Sequence, residues 1–291
     1  MPISLALSAL ILSGAWVYTA SLSAKIAKTG GATIDANLSQ ELTGKVLPAE
    51  ATLPASWGDL GKKIVDSGTL DLDKFKALYE QRGGLDETQL TLLEKTDNGQ
   101  IKMTAENAGL WLNLLWALGL GSKNEILDKG PMSDPKYGGA GNFASTGGWS
   151  VAKGDTMKHF SQHNFFTLSP AQEELVIKVA QNIYRPCCGN STIFPDCNHG
   201  LAMLGLMELI ASQNGTEEQM YQAALVANSF WFPDTYLTIA KYFDEQGKKW
   251  ETVDPREILS AAYSSSSGYN SLVEKTAPIL TPSSTGNGCG L

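Results

Sequence analysis

The chain has 291 residues, of which 43% are hydrophobic and 18% are charged, and its formal net charge is −8 at pH 7. A chain of this length and hydrophobic content can bury one large core or two modest ones. The acidic balance, without any cluster of Lys or Arg, argues against a nucleic-acid-binding protein, which normally carries a basic patch. It also argues against attachment to anionic lipid heads through charge.

The first segment of the chain is apolar. Residues 3–22 contain no charged side chain, and a helix of about 20 apolar residues spans the hydrocarbon core of a bilayer. Residues 1–23 are therefore predicted to be a membrane anchor or a signal peptide, with a buried core helix as a third interpretation. Lys25 and Lys28 follow this run, which favours a cytoplasmic body. The order of an apolar segment and then one polar domain is typical of export, so an extracytoplasmic location is favoured over a cytoplasmic one.

The rest of the chain is predicted to be a linker followed by a helical domain. Residues 24–70 are rich in Gly, Ala, Ser and Thr and lack a long periodic pattern, which predicts the linker. Residues 71–291 are predicted to form a single multi-helix globular domain, mainly α, because strand-like alternation is scarce. Capping and stop signals predict helices at about 73–82, 85–94, 104–119, 170–184, 200–213, 216–232, 233–245 and 255–263. The Gly-rich stretch 130–154 predicts a long irregular loop that covers a site.

Three of the four cysteines fall in one short segment. Cys187, Cys188 and Cys197 lie in the sequence YRPCCGNSTIFPDCNHG, and His199 follows the last of them by two residues. The segment joins two predicted helices, and Cys197 and His199 stand at the start of the second helix. A helix N-terminus carries partial positive charge, which favours the thiolate form of a cysteine. The thiolate is both the nucleophile and the metal ligand, so the chemistry of the chain is predicted to lie here.

A metal site is the preferred interpretation of this segment. The candidate ligands are Cys187, Cys188, Cys197, His199 and Cys289, the last of which stands in the Gly-rich C-terminal tail. Thiolate and imidazole ligands suit copper, zinc or iron. Soft thiolates, with Met203 and Met207 in the following helix, favour copper over zinc and leave iron third. His159 and His163, at i and i+4, are a weaker candidate pair if their segment is helical.

Two charged neighbours are predicted to tune the site. Arg185 is expected to favour the thiolate form through its positive charge. Asp196 is expected to oppose it, unless the carboxylate accepts a hydrogen bond from the imidazole of His199 and so orients the ring.

Other functions stay open beside the metal site. A metal-free thiol–disulfide oxidoreductase would use Cys187, Cys188 and Cys197 as its catalytic thiols, with Cys289 as a resolving thiol. A binding or structural domain stapled by disulfides would pair the same four cysteines and have no catalytic role. A cysteine nucleophile paired with His199 is a further alternative. The preferred hypothesis is a membrane-tethered, extracytoplasmic protein that binds a transition metal, for metal handling or for metal-dependent redox chemistry.

Overall fold

A computed structural model describes residues 36–279 of the chain. Within these residues the backbone forms fourteen α-helices and one two-stranded sheet, so the prediction of a mainly α fold is confirmed. From Leu42 onward the elements belong to one compact unit. The helices are α1 Ala36–Val46, α2 Leu60–Ser67, α3 Leu72–Glu80, α4 Glu87–Glu94, α5 Ala108–Gly121, α6 Glu125–Lys129, α7 Ala144–Gly147, α8 Pro170–Ala180, α9 Asn198–Ser212, α10 Glu217–Trp231, α11 Pro233–Glu245, α12 Pro255–Ile258, α13 Ala261–Ser264 and α14 Ser266–Val273, and the strands are β1 Ala51–Gly58 and β2 Asn98–Met103.

The core is organised around the contact between α5 and α9, which are both buried along most of their length. A Cβ atom added at Gly119 would lie 2.0 Å from the backbone oxygen of Leu201, and one added at Gly205 would lie 2.6 Å from that of Leu115. The two helices therefore approach each other at their glycines, because a residue without Cβ leaves room for the facing backbone. Helices α8 and α10 also pack against α9, so α9 is the central helix that its apolar sequence predicts.

Several helix starts follow the capping signals in the sequence. The side chain of Asp71 accepts hydrogen bonds from two backbone N–H groups in the first turn of α3. Ser169 and Gln172 form a capping box at the start of α8, and Thr216 and Gln219 form another at the start of α10. These side chains satisfy backbone donors that the first turn of a helix leaves without partners.

Two predicted helices, 170–184 and 255–263, differ from the observed ones. Helix α8 ends at Ala180, before the predicted end near residue 184, because the chain beyond it bonds to a later segment instead of continuing the helix. The helix predicted for 255–263 is two short helices, α12 and α13, and α14 follows them. The Gly-rich stretch 130–154 is irregular, as predicted, and contains three short 3-10 turns and α7.

Strand β1 and helix α2 fall within residues 24–70, and several of their side chains are buried in the core. In β1 the side chains of Leu53, Ala55 and Trp57 are buried and alternate with more exposed residues. The strand pairs antiparallel with β2. Pro54 hides this alternation in the sequence, and a proline is tolerated in a strand only at an edge or an irregularity such as the register shift present here.

Among the described residues, no helix combines the length and the hydrophobicity needed to cross a membrane. The anchor or signal peptide predicted for residues 1–23 lies outside the described residues.

Candidate metal centre

The segment between α8 and α9 folds back on itself. Tyr184 and Ser191 face each other as an isolated antiparallel bridge. The backbone N–H of Thr192 donates to the carbonyl oxygen of Ile183 at 2.9 Å. The two adjacent cysteines therefore lie in the bend, and the chain returns to Cys197, which is the N-cap residue of α9.

The sulfur atoms of this cysteine loop, residues 185–197, converge on one point. The Sγ atoms of Cys187, Cys188 and Cys197 lie within 4.8 Å of one another, and those of Cys187 and Cys197 are 3.4 Å apart. No disulfide bond joins these three residues. Cys197 is buried, and the other two are half-buried. The predicted cysteine cluster is therefore present and is close enough to bind a metal ion.

The guanidinium of Arg185 lies beside these sulfurs and is 1% exposed. Its Nε atom donates to Sγ of Cys197 at 3.1 Å, and Nη2 donates to Oδ1 of Asp196 at 2.7 Å. Further hydrogen bonds go to the backbone oxygens of Asn190 and Phe194. Each nitrogen of this buried cation thus has an acceptor, as a buried charge requires.

The start of α9 makes room for this cation. A Cβ atom added at Gly200 would lie 2.7 Å from Nη2 of Arg185, so the guanidinium lies directly against the first turn of the helix. Burial lowers the pKa of Arg185, but the neighbouring sulfurs of Cys197 and Cys188 raise it by more. Arg185 therefore stays positively charged and favours negative charge on the sulfurs.

The sulfurs affect one another's ionisation. The hydrogen bond with Cys187 lowers the pKa of the Cys188 thiol, but the hydrogen bond with Cys197 and burial outweigh it and raise the pKa to about 11. Negative charges this close together disfavour one another, so three thiolates need positive charge nearby. Arg185 supplies one such charge, and a bound cation would supply more.

Asp196 holds the loop together instead of orienting an imidazole. One of its carboxylate oxygens accepts the hydrogen bond from Arg185, and the other accepts from Nδ2 of Asn190 at 2.8 Å. In the described part of the chain, the expected hydrogen bond from His199 to this carboxylate is not formed. The side chain of Asn190 takes that place.

His199 packs against two aromatic rings. Its ring centroid lies 4.4 Å from that of Phe232 and 5.8 Å from that of Trp231. Its Nδ1 atom is buried and has no hydrogen-bond partner in the described structure. The group of ligand atoms within 4.8 Å of one another consists of the three sulfurs and does not include this ring.

His159 and His163 contact each other apart from the cysteines. Nδ1 of His159 lies 3.1 Å from Nε2 of His163, and Nε2 of His159 lies 3.0 Å from the carbonyl oxygen of Lys153. The helix on which this pair depended is not formed: the 3-10 turn ends at Lys158, and Ser161 has a positive φ. Burial and the neighbouring His159 lower the pKa of His163.

Met203 and Met207 are buried in the core along α9. Cys289 lies outside the described residues.

A buried polar network beside the cysteines was not predicted from the sequence. The hydroxyl of Tyr236 lies 2.9 Å from Nδ2 of Asn228 and 2.8 Å from Oγ of Ser264. Burial raises the pKa of Tyr236, and charge on Cys187 raises it further. The sequence feature that could have indicated this network is Asn228, whose amide stands within the largely apolar stretch of α10.

The Gly-rich stretch packs against the cysteine loop. The rings of Tyr137 and Phe143 lie 5.3 and 5.4 Å from that of Phe194, between centroids. The backbone N–H of Ser145 donates to the carbonyl oxygen of Asp196 at 3.1 Å. The loop is therefore held both by its own hydrogen bonds and by a neighbouring segment.

Comparison with models of known protein families, with characterised proteins and with solved structures finds no match to this chain.

Proposed function

We propose that the protein binds one soft transition-metal ion through the thiolates of Cys187, Cys188 and Cys197. The observation that carries the proposal is the convergence of the three sulfurs within 4.8 Å. In a tetrahedral site with Zn–S bonds of about 2.3 Å, sulfur atoms lie about 3.8 Å apart. The Cys187–Cys197 sulfur distance of 3.4 Å is close to that value, so small side-chain shifts would admit the ion.

Copper(I) is the proposed ion, ahead of zinc. Thiolates are soft ligands and select copper(I), zinc and iron–sulfur clusters over hard cations. A structural zinc site takes four protein ligands, whereas the described cluster offers three sulfurs. Zinc would need a fourth ligand, for which His199 and Cys289 are the candidates.

The surroundings favour metal handling over a closed structural site. Cys187 and Cys188 are half-buried, which leaves two of the three ligands accessible to an incoming chelator or carrier. Arg185 and the N-terminus of α9 reduce the negative charge that three thiolates bring together. These features support an ion that is held firmly in reducing conditions and can still be exchanged. Metal-dependent redox chemistry is the alternative use of the same site.

The direct test is the metal content of the full chain, purified under reducing conditions and reloaded separately with copper(I) or zinc. We expect about one ion per chain in the natural protein, and at least a tenfold loss of occupancy in each of Cys187→Ser, Cys188→Ser and Cys197→Ser. Circular dichroism and unfolding curves show whether each variant keeps its fold. Full occupancy in all three folded variants would overturn the proposal.

Two further variants identify a fourth ligand. Cys289→Ser removes a thiol outside the described residues, and His199→Gln removes the imidazole two residues after Cys197. If the ion is copper(I) held by three sulfurs, both variants retain it and copper(I) outcompetes zinc. If zinc is held in a closed site of four protein ligands, one of these two variants loses it.

We also propose that residues 3–22 tether the protein to a membrane, with the metal site on the extracytoplasmic side. The support is the uncharged apolar run itself and its length, which suits a bilayer span. Fractionation of cells expressing the full chain tests the tether. Labelling of Cys188 by a membrane-impermeant thiol reagent tests the side, and a protein protected in intact cells but labelled after lysis would contradict it.

A further inference from the structure

Two sulfurs of the cysteine cluster lie in direct contact and differ in accessibility. Sγ of Cys187 and Sγ of Cys197 are 3.4 Å apart. A disulfide bond has an S–S length of about 2.05 Å, so bonding requires the two atoms to approach by little more than an ångström. Cys187 is half-buried in the bend of the loop, whereas Cys197 is buried at the start of α9.

We propose that Cys187 and Cys197 form a reversible disulfide bond that empties the metal site. This inference rests on the proposed function for its metal readout, but the disulfide itself is tested independently. The bond would remove two of the three ligands and leave Cys188 alone, and a single thiolate does not hold an ion against competing ligands. The protein would then bind metal when reduced and release it when oxidised.

The reaction needs a disulfide-containing oxidant, such as oxidised glutathione or a protein disulfide. The thiolate of half-buried Cys187 attacks one sulfur of the oxidant, which forms a mixed disulfide and releases one thiolate. The sulfur of Cys197 then attacks Sγ of Cys187 and releases the second. Two electrons pass to the oxidant, and the two protons of the cysteine thiols end on the two thiols released.

The geometry assigns the second step to Cys197. The sulfur of Cys197 accepts a hydrogen bond from Nε of Arg185. Cys197 is also the N-cap residue of α9, and its side chain makes no capping hydrogen bond there. Both features favour the thiolate, which is the attacking form. Its burial keeps it from the external oxidant, so it acts only after Cys187 has reacted.

The alternative pairings are less well placed. A bond between the adjacent Cys187 and Cys188 would close a strained small ring. Cys188 is tied to other parts of the fold, because its carbonyl oxygen accepts a hydrogen bond from the backbone of Ser266 and its sulfur lies 3.8 Å from the carbonyl oxygen of Asn190. The pairing of Cys187 with Cys197 is therefore the one expected.

The experiment uses the full chain, reduced and freed of metal, and then treated with oxidised glutathione. Formation of the Cys187–Cys197 bond should lower the number of free thiols by two. It should also lower the mass of the chain by about 2 Da, because two hydrogen atoms are lost. Digestion on the N-terminal side of Asp196 separates Cys197 from the other two cysteines unless a disulfide joins them. Cys188→Ser should still form the link, whereas Cys187→Ser and Cys197→Ser should not.

Metal binding is then measured on the same samples. The oxidised protein should bind at least tenfold less copper(I) than the reduced protein, and a reducing agent should restore binding. No link between Cys187 and Cys197 would overturn the inference, and so would a reduced protein that binds copper(I) and binds it equally well after the link has formed. If the reduced protein binds no metal but the link forms, the proposed function fails and the disulfide stands.

Discussion

The Nε atom of Arg185 donates a hydrogen bond to the sulfur of Cys197 at 3.1 Å, inside a protein core where the guanidinium is 1% exposed. The same cation binds the carboxylate of Asp196 and two backbone oxygens of the loop. One side chain therefore both closes the loop and adjusts the charge of the sulfurs. Removing it tests these roles together.

Arg185→Met should lower the free energy of unfolding of the reduced, metal-free protein by about 3 kcal/mol. The variant leaves Asp196 without its cation and two backbone oxygens of the loop without a donor. Denaturant unfolding measures the change. The matched control is Arg256→Met, because Arg256 is 39% exposed and pairs with Glu217 and Glu218 at the surface, where such pairs contribute about 1 kcal/mol or less. Equal losses in the two variants would show that the buried network adds nothing.

His199→Gln should retain the metal ion if the three sulfurs alone hold it. The imidazole packs on Phe232 and Trp231 and lies outside the group of converging ligand atoms. The variant should lose about 1 kcal/mol of stability through the weaker packing of an amide on these rings. Elemental analysis and denaturant unfolding give the two readouts. A tenfold drop in occupancy with little change in stability would instead make His199 a ligand.

The parts of the fold that were predictable from sequence depend on local signals. Ser169 with Gln172 and Thr216 with Gln219 are three residues apart, and the capping boxes that they form need no distant partner. Strand β1 was missed because Pro54 interrupts its alternation and its partner β2 lies about forty residues later in the chain.

The candidate site was predictable as a group of residues but not as a geometry. The short spacing of Cys187, Cys188 and Cys197 indicated a cluster. The roles of Arg185 and Asp196 depend on how the loop folds back, which is decided by hydrogen bonds such as that between Thr192 and Ile183. No residue pattern within the loop encodes these bonds, so the sequence could not show that Asp196 binds Arg185 and not His199.

Glu208→Gln should make the protein more stable, and the gain should grow with pH. Glu208 is fully buried on α9, and neither carboxylate oxygen has a hydrogen-bond partner in the described structure. Burial raises its pKa well above the ordinary value of 4.5, and the nearby Ser122 hydroxyl only partly offsets this. The folded state therefore keeps the proton at pH values where the unfolded chain has lost it.

This difference fixes the sign of the pH dependence. Above the unfolded pKa, the unfolded state binds fewer protons than the folded state, so Glu208 lowers the stability of the natural protein by about 1.4 kcal/mol per pH unit until the folded pKa is reached. Glutamine does not titrate, so the two proteins should converge near pH 4 and diverge above about pH 5. Urea unfolding of both proteins over this pH range measures the difference in stability. The control is Glu94→Gln, because Glu94 is exposed. A constant difference at all pH values would contradict the prediction.

Gly119→Ala and Gly205→Ala should each destabilise the protein, because each adds a methyl group where α5 and α9 meet. The new Cβ at Gly119 would lie 2.0 Å from the backbone oxygen of Leu201, so the helices must separate. Overpacking of this kind costs about 1–3 kcal/mol. Gly109→Ala is the control, since Gly109 lies on α5 with nothing within 4 Å of an added Cβ. There alanine should raise the stability by up to about 1 kcal/mol, through its better helix propensity. Thermal unfolding measures the stability of the three variants. If Gly119→Ala stabilised the protein, α5 and α9 would not meet at their glycines.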